Sequence, residues 1–187
     1  MNLDEIIRHC LDGKEGAWNM LVSLFSKRIF NLAYQFAGSY QEAEDLTQDI
    51  FVKLYGTLPK FDFGRNFAAW FLTLAKNHLI DVHRRTKWEK RNRDDFDDQL
   101  RVIPSGTDDP EAGALLAETR KILWDGMNLL PADMRLAVIL KEIQGKKYEE
   151  VAEIMGVPVG TVKSRINRGR LQLARLLKDA KEKSHEL

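Results

Sequence analysis

The stretch KKYEEVAEIMGVPVGTVKSRINRGRLQLARLL, residues 146–177, contains two apolar runs at helical spacing on either side of a Gly-Val-Pro turn. The first run predicts a helix over residues 148–155 and the second a helix over residues 159–178. Between them, Gly156 is the residue type that most readily adopts a left-handed turn conformation. Two helices joined by so tight a turn are typical of a helix-turn-helix, whose second helix enters the major groove of DNA. The side chains that the second helix is expected to turn toward the core are Val162, Ile166, Leu171, Leu173, Leu176 and Leu177.

Basic and polar side chains begin directly after this turn and point away from the expected core. Lys163 and Arg168 carry donors that suit guanine edges and phosphates. Asn167 carries the donor and the acceptor that suit an adenine edge. The second helix is therefore predicted to read DNA, and an ordinary basic surface helix is the alternative.

The rest of the chain shows the same helical periodicity. Apolar residues recur every three or four positions over residues 17–36, 43–54 and 67–88. Two further helices are predicted over about residues 112–129 and 132–143. The strict alternation of apolar and polar residues that marks a strand is missing throughout. The sequence thus predicts an all-α protein with two small helical domains, the C-terminal one containing the helix-turn-helix.

An acidic stretch separates the two helical parts. Residues 93–110 read RDDFDDQLRVIPSGTDDP, with two prolines, a Ser-Gly pair and few apolar side chains. Such a composition cannot bury enough apolar surface to offset the entropy of ordering the chain. We therefore predict domains over residues 1–93 and 113–187, joined by a flexible linker over residues 94–112. The acids of the linker either are simply solvated or shield a basic surface until a partner binds.

The overall composition excludes several classes of protein. A single cysteine among 187 residues, Cys10, excludes an internal disulfide and a cysteine-built zinc site, and it favours the reducing cytoplasm. No apolar stretch is long enough for a membrane helix, so no membrane insertion is expected. The net charge of +1 combines unequal segments, because residues 61–93 and 158–187 each carry +5 and residues 94–118 carry −7. Two basic blocks of this kind favour a nucleic-acid partner, which the total charge alone does not indicate.

Three segments of the chain, in register, resemble bacterial RNA polymerase sigma factors of the extracytoplasmic-function (ECF) class. They are GSYQEAEDLTQDIFVKLYGTLPKFD (38–62), FAAWFLTLAKNHLIDVHRR (67–85) and GVPVGTVKSRINRGR (156–170), and the resemblance extends over about residues 14–178. It implies a dissociable subunit that binds the RNA polymerase core and promoter DNA, initiates transcription and does no covalent chemistry. Family members commonly have an anti-sigma factor, so such a partner is also expected.

The resemblance implies which residues meet the polymerase and the −35 promoter element. In the family, the first segment docks on the coiled-coil clamp of the largest catalytic subunit. The matching positions in this chain are Asp45, Gln48, Asp49 and Phe51. The third segment places Lys163, Ser164, Asn167 and Arg168 against the −35 element. Arg165 and Arg170 are expected to meet phosphates or the surface of the helix itself.

The second segment and the loop before it resemble the part of the family that captures a base flipped out at the −10 element. Phe61 and Asn77 match positions that line the base pocket. The loop over residues 61–66 is too polar to be a core element, so we expect it to lie outside the core. The basic side chains of the following helix that suit the phosphate backbone are Lys76, Arg84 and Arg85.

Other classes of function find little support in the sequence. A free-standing helix-turn-helix regulator is the alternative to a sigma factor, but it would need neither the aromatic loop at 61–67 nor the acidic helix before it. His78 and His83 are five residues apart, off one helix face, so they are expected to be partly exposed residues rather than zinc ligands. Cys10 and His9 are adjacent and would point about 100° apart on a helix, which argues against a reactive pair. We expect no catalytic residue, no metal and no cofactor.

Overall fold

The computed structural model describes residues 2–92 and 122–185. Over these residues all regular secondary structure is helical, which confirms the predicted all-α fold. Contacts divide the chain into two compact units, Met1–Val82 and His83–Leu187. The linker predicted over 94–112, and the first part of the helix predicted over about 112–129, lie outside the described residues.

The N-terminal half contains four helices. They are α1 (Leu3–Leu11), α2 (Ala17–Ala37), α3 (Tyr40–Thr57) and α4 (Phe67–Asn92), with a 3-10 turn at Leu58–Lys60. The last three coincide with the predicted apolar runs, whereas the short α1 was missed. A reciprocal cap begins α1, because the Glu5 N–H donates to Asn2 Oδ1 (2.9 Å) and the Asn2 N–H donates to Glu5 Oε2 (3.0 Å).

Apolar side chains from α1 to α4 form one core in this half. The ring of Phe25 on α2 meets Phe67 and Phe71 of α4 edge-on, with centroid distances of 5.3 and 5.5 Å. These contacts fix the first turns of α4 against α2, and edge-to-face geometry is the favourable one for aromatic pairs. Further fully buried side chains of this core are Ile7, Leu21, Ile29, Leu32, Ile50, Leu54 and Leu79.

The C-terminal half also contains four described helices. They are α5 (residues 122–129), α6 (Ala132–Val138), α7 (Tyr148–Met155) and α8 (Val159–His185). The helix predicted over 132–143 is present, but α6 continues as a π-helical turn over Ile139–Ile143. Buried Arg135 donates from Nη2 to the carbonyl of Asn128 (2.7 Å) and so satisfies an end group of α5. Burial lowers the pKa of Arg135 to about 10, so the guanidinium remains protonated at neutral pH.

The inward face of α8 differs from the predicted one at two positions. Val162, Ile166 and Leu173 are buried as expected, but Leu171 is exposed and that prediction is wrong. Leu171 follows Ile166 by five residues, which rotates it well away from the inward stripe, whereas Gly169 follows by three. Gly169 occupies the inward position that the apolar pattern missed, because glycine carries no apolar side chain to mark it.

Gly169 lets α8 approach α6 closely. A Cβ at this position would lie 2.8 Å from Val138 Cγ2, which is closer than real Cβ atoms come, and 3.2 Å from Met134 Cγ, which is a tight contact. A larger residue at 169 must therefore displace the side chain of Val138 or move one of the two helices. Since Arg168 and Arg170 flank this glycine, its packing also fixes how α8 presents its basic side chains.

We expect Gly169→Ala to destabilise the C-terminal unit despite the better helix propensity of alanine. Overpacking a close contact costs about 1–3 kcal/mol, against a propensity gain of about 1 kcal/mol. Gly160→Ala is the matched control, because it lies in the same helix and its Cβ would meet nothing within 4 Å. Urea unfolding should show a lower midpoint for Gly169→Ala and an equal or higher midpoint for Gly160→Ala. Equal midpoints for the two variants would contradict the close contact.

Candidate nucleic-acid and protein interfaces

The turn between α7 and α8 has the geometry of a helix-turn-helix. Gly156 ends α7 in the left-handed region, with φ 66° and ψ 36°, and its N–H donates to the carbonyl of Ala152 (2.9 Å). The Val157 N–H donates to the same carbonyl (3.2 Å), so the chain reverses within two residues. The carbonyl of Pro158 then accepts from the Val162 N–H (3.1 Å) and starts α8. The left-handed glycine predicted from the sequence is thus present.

Four predicted reading residues share the first exposed face of α8. We call Lys163, Ser164, Asn167 and Arg168 the α8 polar face. Lys163, Asn167 and Arg168 are exposed, and Ser164 is half-buried. The guanidinium of Arg168 folds back, with Nε 3.3 Å from the carbonyl of Ser164 and Nη2 3.3 Å from its hydroxyl oxygen. The Ser164 hydroxyl donates in turn to the carbonyl of Thr161 (2.9 Å). Arg168 is therefore held at the surface by Ser164.

Arg165 and Arg170 have partners within the C-terminal unit. Arg170 Nη2 donates to Glu142 Oε1 at 2.7 Å, and Arg165 Nη2 lies 3.7 Å from Asp133 Oδ2. Both ion pairs bind α8 to the segment over residues 132–143. Both arginines therefore pair with acidic side chains of other helical segments, and their contact with phosphates stays a prediction.

The loop between α3 and α4 is ordered by hydrogen bonds of its own. The Gly64 N–H donates to Asp62 Oδ1 (2.9 Å), and the Arg65 N–H donates to the carbonyl of Asp62 (2.9 Å). Asn66 caps α4, because its Oδ1 accepts from the Ala69 N–H (3.0 Å). A guanidinium from α1 covers the loop, since Arg8 Cζ lies 4.3 Å from the centroid of the Phe63 ring. These hydrogen bonds and the contact with Arg8 therefore stabilise the loop.

Phe61 differs from the expectation that this loop lies outside the core. Its side chain is only 7% exposed, and its ring packs on Phe63, Phe67 and Trp70 at centroid distances of 5.1–5.4 Å. The composition of the loop was misleading because one aromatic residue turns inward while its polar neighbours do not. Phe61 therefore supports the loop from below rather than presenting an open ring face.

One exposed stripe runs along α4. Asn77 and Arg84 are exposed on it, and Arg85 lies beside Arg84. Trp88 follows Arg84 by four residues, is 67% exposed and was not among the predicted site residues. We call Asn77, Arg84, Arg85, Lys87 and Trp88 the α4 stripe.

Lys76 does not lie on the exposed side of α4 with the predicted arginines. It is buried, four residues after Leu72 and four before Ile80, which are buried as well. A residue at that spacing shares the inward face of the helix, so the expectation that Lys76 is exposed for phosphate contact is wrong. The core pattern around it could have shown this.

The predicted polymerase-contact residues lie on α3. Asp45, Gln48 and Asp49 are exposed at spacings of three and four residues, which places them on one helix face. Phe51, the fourth of the predicted positions, is half-buried, and its ring meets Phe71 edge-on at 5.4 Å.

Two further α3 side chains extend the exposed acidic face. Val52 and Tyr55 are 73% and 66% exposed, and the ring of Tyr55 lies 4.9 Å from that of Trp18. They follow Gln48 by four and seven residues. We call Asp45, Gln48, Asp49, Val52 and Tyr55 the α3 patch. A helical projection of the sequence would have found Val52 and Tyr55.

The histidines and the cysteine differ in their surroundings. His78 is buried rather than partly exposed, and its Nε2 lies 3.6 Å from Asp49 Oδ2. Cys10 is buried, and burial raises the pKa of its thiol, so the thiol is neutral at pH 7.

Among residues 2–92 and 122–185, no group of three His, Cys, Asp or Glu side chains is placed to hold a metal ion. No described helix is long and apolar enough to cross a membrane.

Comparison with known proteins identifies both halves of the chain. The Sigma-70 region 2 family matches residues 21–89, and the Sigma-70 region 4 family matches residues 120–173. The chain is 30% identical to the ECF RNA polymerase sigma factor SigW of Bacillus subtilis over 185 residues, which is 96% of this chain and 98% of that protein. It is 32% identical over 174 residues to the ECF RNA polymerase sigma-E factor of Haemophilus influenzae, covering 88% and 89% of the two chains.

Solved structures show the same fold. The sigma factor RpoE of Bartonella quintana, in complex with the anti-sigma factor NepR, superimposes with a TM-score of 0.66 and 28% identity over 87% of this chain and 98% of that chain. CnrH, in complex with the cytosolic domain of CnrY, gives a TM-score of 0.61 at 24% identity, covering 93% and 96%.

Proposed function

The chain belongs to the ECF class of bacterial RNA polymerase sigma factors, and we propose that three of its surfaces divide the contacts with core polymerase, the −10 element and the −35 element. Sigma factors of this class direct RNA polymerase to promoters, and a free-standing DNA-binding regulator is not favoured. The observation that carries the assignment is that three separate elements, α3, α4 and α8, each expose polar side chains where the sequence predicts a contact.

The α8 polar face is assigned to the −35 element. Lys163, Asn167 and Arg168 project from the N-terminal turns of the second helix of the motif, which are the turns that enter a major groove. Arg168 supplies a planar fork for a guanine edge, and Asn167 pairs with adenine. Ser164 positions Arg168 before DNA arrives. Arg165 and Arg170 keep α8 in place through their ion pairs.

The α4 stripe is assigned to the −10 element. Asn77 offers a donor and an acceptor to the edge of an unpaired base, and Arg84 and Arg85 supply charge for the phosphates. Phe61 acts through the loop that it supports, since its ring is packed among other aromatic rings. Lys76 keeps no direct role in this proposal because it is buried.

The α3 patch is assigned to core polymerase. It combines the carboxylates of Asp45 and Asp49 with the exposed apolar groups of Val52 and Tyr55. A basic coiled coil would be attracted by the acids, whereas the apolar groups supply the desolvated centre of an interface. Phe51 supports this patch from the interior of the domain, because its ring packs on Phe71.

A protein partner that blocks these surfaces is also proposed. The Bartonella quintana relative is in complex with an anti-sigma factor, and an anti-sigma factor of this chain would act by covering the α3 patch or a DNA-facing surface. We place the protein in the cytoplasm, where RNA polymerase works. We assign it no catalytic step, because phosphodiester synthesis belongs to the polymerase.

Reconstituted transcription tests the proposal. Purified core polymerase and this chain are combined on a library of promoter-like duplexes in which both hexamer regions are randomised. We expect initiation from a subset that shares a −35 and a −10 sequence, and none with core polymerase alone. Absence of both core binding and selective initiation would refute the proposed function.

We expect Trp88→Ala to weaken binding of the holoenzyme to a fork-junction promoter. An aromatic ring on DNA contributes about 1–3 kcal/mol, or about 5- to 150-fold in affinity. Trp88→Phe should retain most of this affinity, since it keeps a ring.

Salt dependence separates this contact from that of the neighbouring arginine. Because Trp88 carries no charge, its substitution should leave the salt dependence of binding unchanged, whereas Arg84→Ala should reduce the slope of log affinity against log salt by about 1. Fluorescence anisotropy at several salt concentrations measures both quantities. A smaller slope of log affinity against log salt for Trp88→Ala, or equal affinities for Trp88→Ala and wild type, would contradict the assignment.

A further inference from the structure

A buried histidine of α4 touches the α3 patch. His78 is 8% exposed, and its Nε2 lies 3.6 Å from Asp49 Oδ2. The side chain of Asp49 is itself 63% exposed. One side of this carboxylate therefore faces His78 of α4, while the other remains open to a partner.

The same helix carries Asn77, the residue next to His78. Consecutive residues on a helix point about 100° apart, and the structure exposes Asn77 while it buries His78. α4 thus presents Asn77 to the outside and reaches α3 through the adjacent residue.

We propose that His78 is a positioning residue that orients the carboxylate of Asp49 for core polymerase. The proposal rests on the proposed function, because the contact of Asp49 with polymerase is part of that function. An exposed side chain loses rotamer freedom when an interface forms, and this loss opposes binding. Contact with His78 restricts Asp49 beforehand, so less freedom is lost when polymerase binds.

The contact has the length of an electrostatic interaction rather than of a hydrogen bond, which rarely exceeds about 3.2 Å. An imidazole that carries a proton on Nε2 attracts the carboxylate across this distance, whether the ring is neutral or protonated. Glutamine can place its amide nitrogen near the position of Nε2, whereas the shorter asparagine places its nitrogen near that of Nδ1. The pair of substitutions therefore separates the contact with Asp49 from the packing of the ring.

The first measurement is the affinity of the labelled full-length chain for purified core polymerase. We expect His78→Asn to weaken core binding about 3- to 10-fold, and His78→Gln to stay within about 2-fold of wild type. Asp49→Ala should weaken binding at least as much as His78→Asn. The double variant His78→Asn/Asp49→Ala should bind no more weakly than Asp49→Ala alone, because a positioning residue has nothing left to position.

A histidine with only a packing role gives a different pattern. In that case Gln and Asn have equal effects, or the losses of the single variants add in the double variant, and either result overturns the proposal. Unchanged core affinity of Asp49→Ala would instead refute the assignment of Asp49 to polymerase, and the role of His78 would fall with it. Failure of the wild-type chain to bind core polymerase would refute the proposed function as a whole.

Nitrogen-15 resonances of the His78 imidazole give a second measurement that needs no histidine variant. Asp49→Asn should shift these resonances in the free protein. Asp45→Asn is the matched control, because it removes the same charge from the same helix face one turn away. Equal responses to the two substitutions would overturn the specific contact, even where His78→Asn fails to fold.

Discussion

Arg168→Ala should reduce −35 recognition by about 5- to 150-fold, which corresponds to about 1–3 kcal/mol for a bidentate base contact. Arg168 is exposed on the α8 polar face, and its guanidinium is held by Ser164 at 3.3 Å. Truncation to alanine removes the whole guanidinium, so the variant should lose the base contact. Holoenzyme binding to duplexes with single substitutions through the −35 hexamer measures the loss.

The pattern of specificity distinguishes base reading from charge. If Arg168 reads one base pair, Arg168→Ala should lose discrimination at that position and keep it elsewhere. Arg175→Ala is the matched control, because it removes the same charge from an exposed position of α8 two turns further along. It should weaken binding to all sequences by a similar, smaller factor. Equal losses for both variants on every duplex would assign Arg168 to phosphate contact alone.

Core polymerase binding should be unaffected by Arg168→Ala, because the α3 patch lies in the other unit of the chain. A drop in core affinity would mean that the variant disturbs more than the reading face. Circular dichroism of the variant checks that α8 persists, which is expected since alanine is the best helix former.

Much of the helix-turn-helix could be predicted because its signals are local. Apolar spacing defines α7 and α8, and the left-handed turn needs a glycine at 156. The α8 polar face also follows from spacing alone. Gly169 escaped the pattern because its role is to leave room for Val138 and Met134 of α6, and a sequence does not show which helix lies opposite.

The contacts that the sequence did not indicate at the other sites have a common cause. The ion pair of Arg170 with Glu142 depends on the packing of two segments that are 28 residues apart. The burial of His78 against Asp49 depends in the same way on how α3 lies on α4. Phe61 turns inward because the rings of Phe67 and Trp70 offer it a partner, although its own loop is polar. Periodicity gives the face of one helix but not the neighbour that the face meets.

Asn77→Ala should impair promoter opening while it leaves core binding and −35 recognition intact. Asn77 is exposed near the middle of α4, and its amide can bond the edge of a base that has left the duplex. Removing one such pair of hydrogen bonds costs about 1–3 kcal/mol, and the rate of open-complex formation should fall by about 5- to 150-fold if capture limits opening. Permanganate footprinting of unpaired thymines measures the rate.

Abasic sites in the −10 region test which base Asn77 meets. Replacing the captured base by an abasic site should weaken the binding of wild-type holoenzyme to single-stranded −10 DNA. Asn77→Ala should cause no further loss of affinity for that template. At every other position the two losses should add, because independent contacts contribute separately. One non-additive position locates the pocket, whereas additive losses at all positions would show that Asn77 contacts no base.

Asp81→Ala supplies the control for this variant. Asp81 is exposed on the same helix one turn after Asn77, and it carries a negative charge that repels phosphates. Its removal should leave single-strand binding unchanged or strengthen it, so a general disturbance of α4 would appear as a loss in both variants. Asn77→Ala alone should lose base capture. That difference in sign ties the defect to the amide of Asn77 rather than to any change in the charge or packing of the stripe.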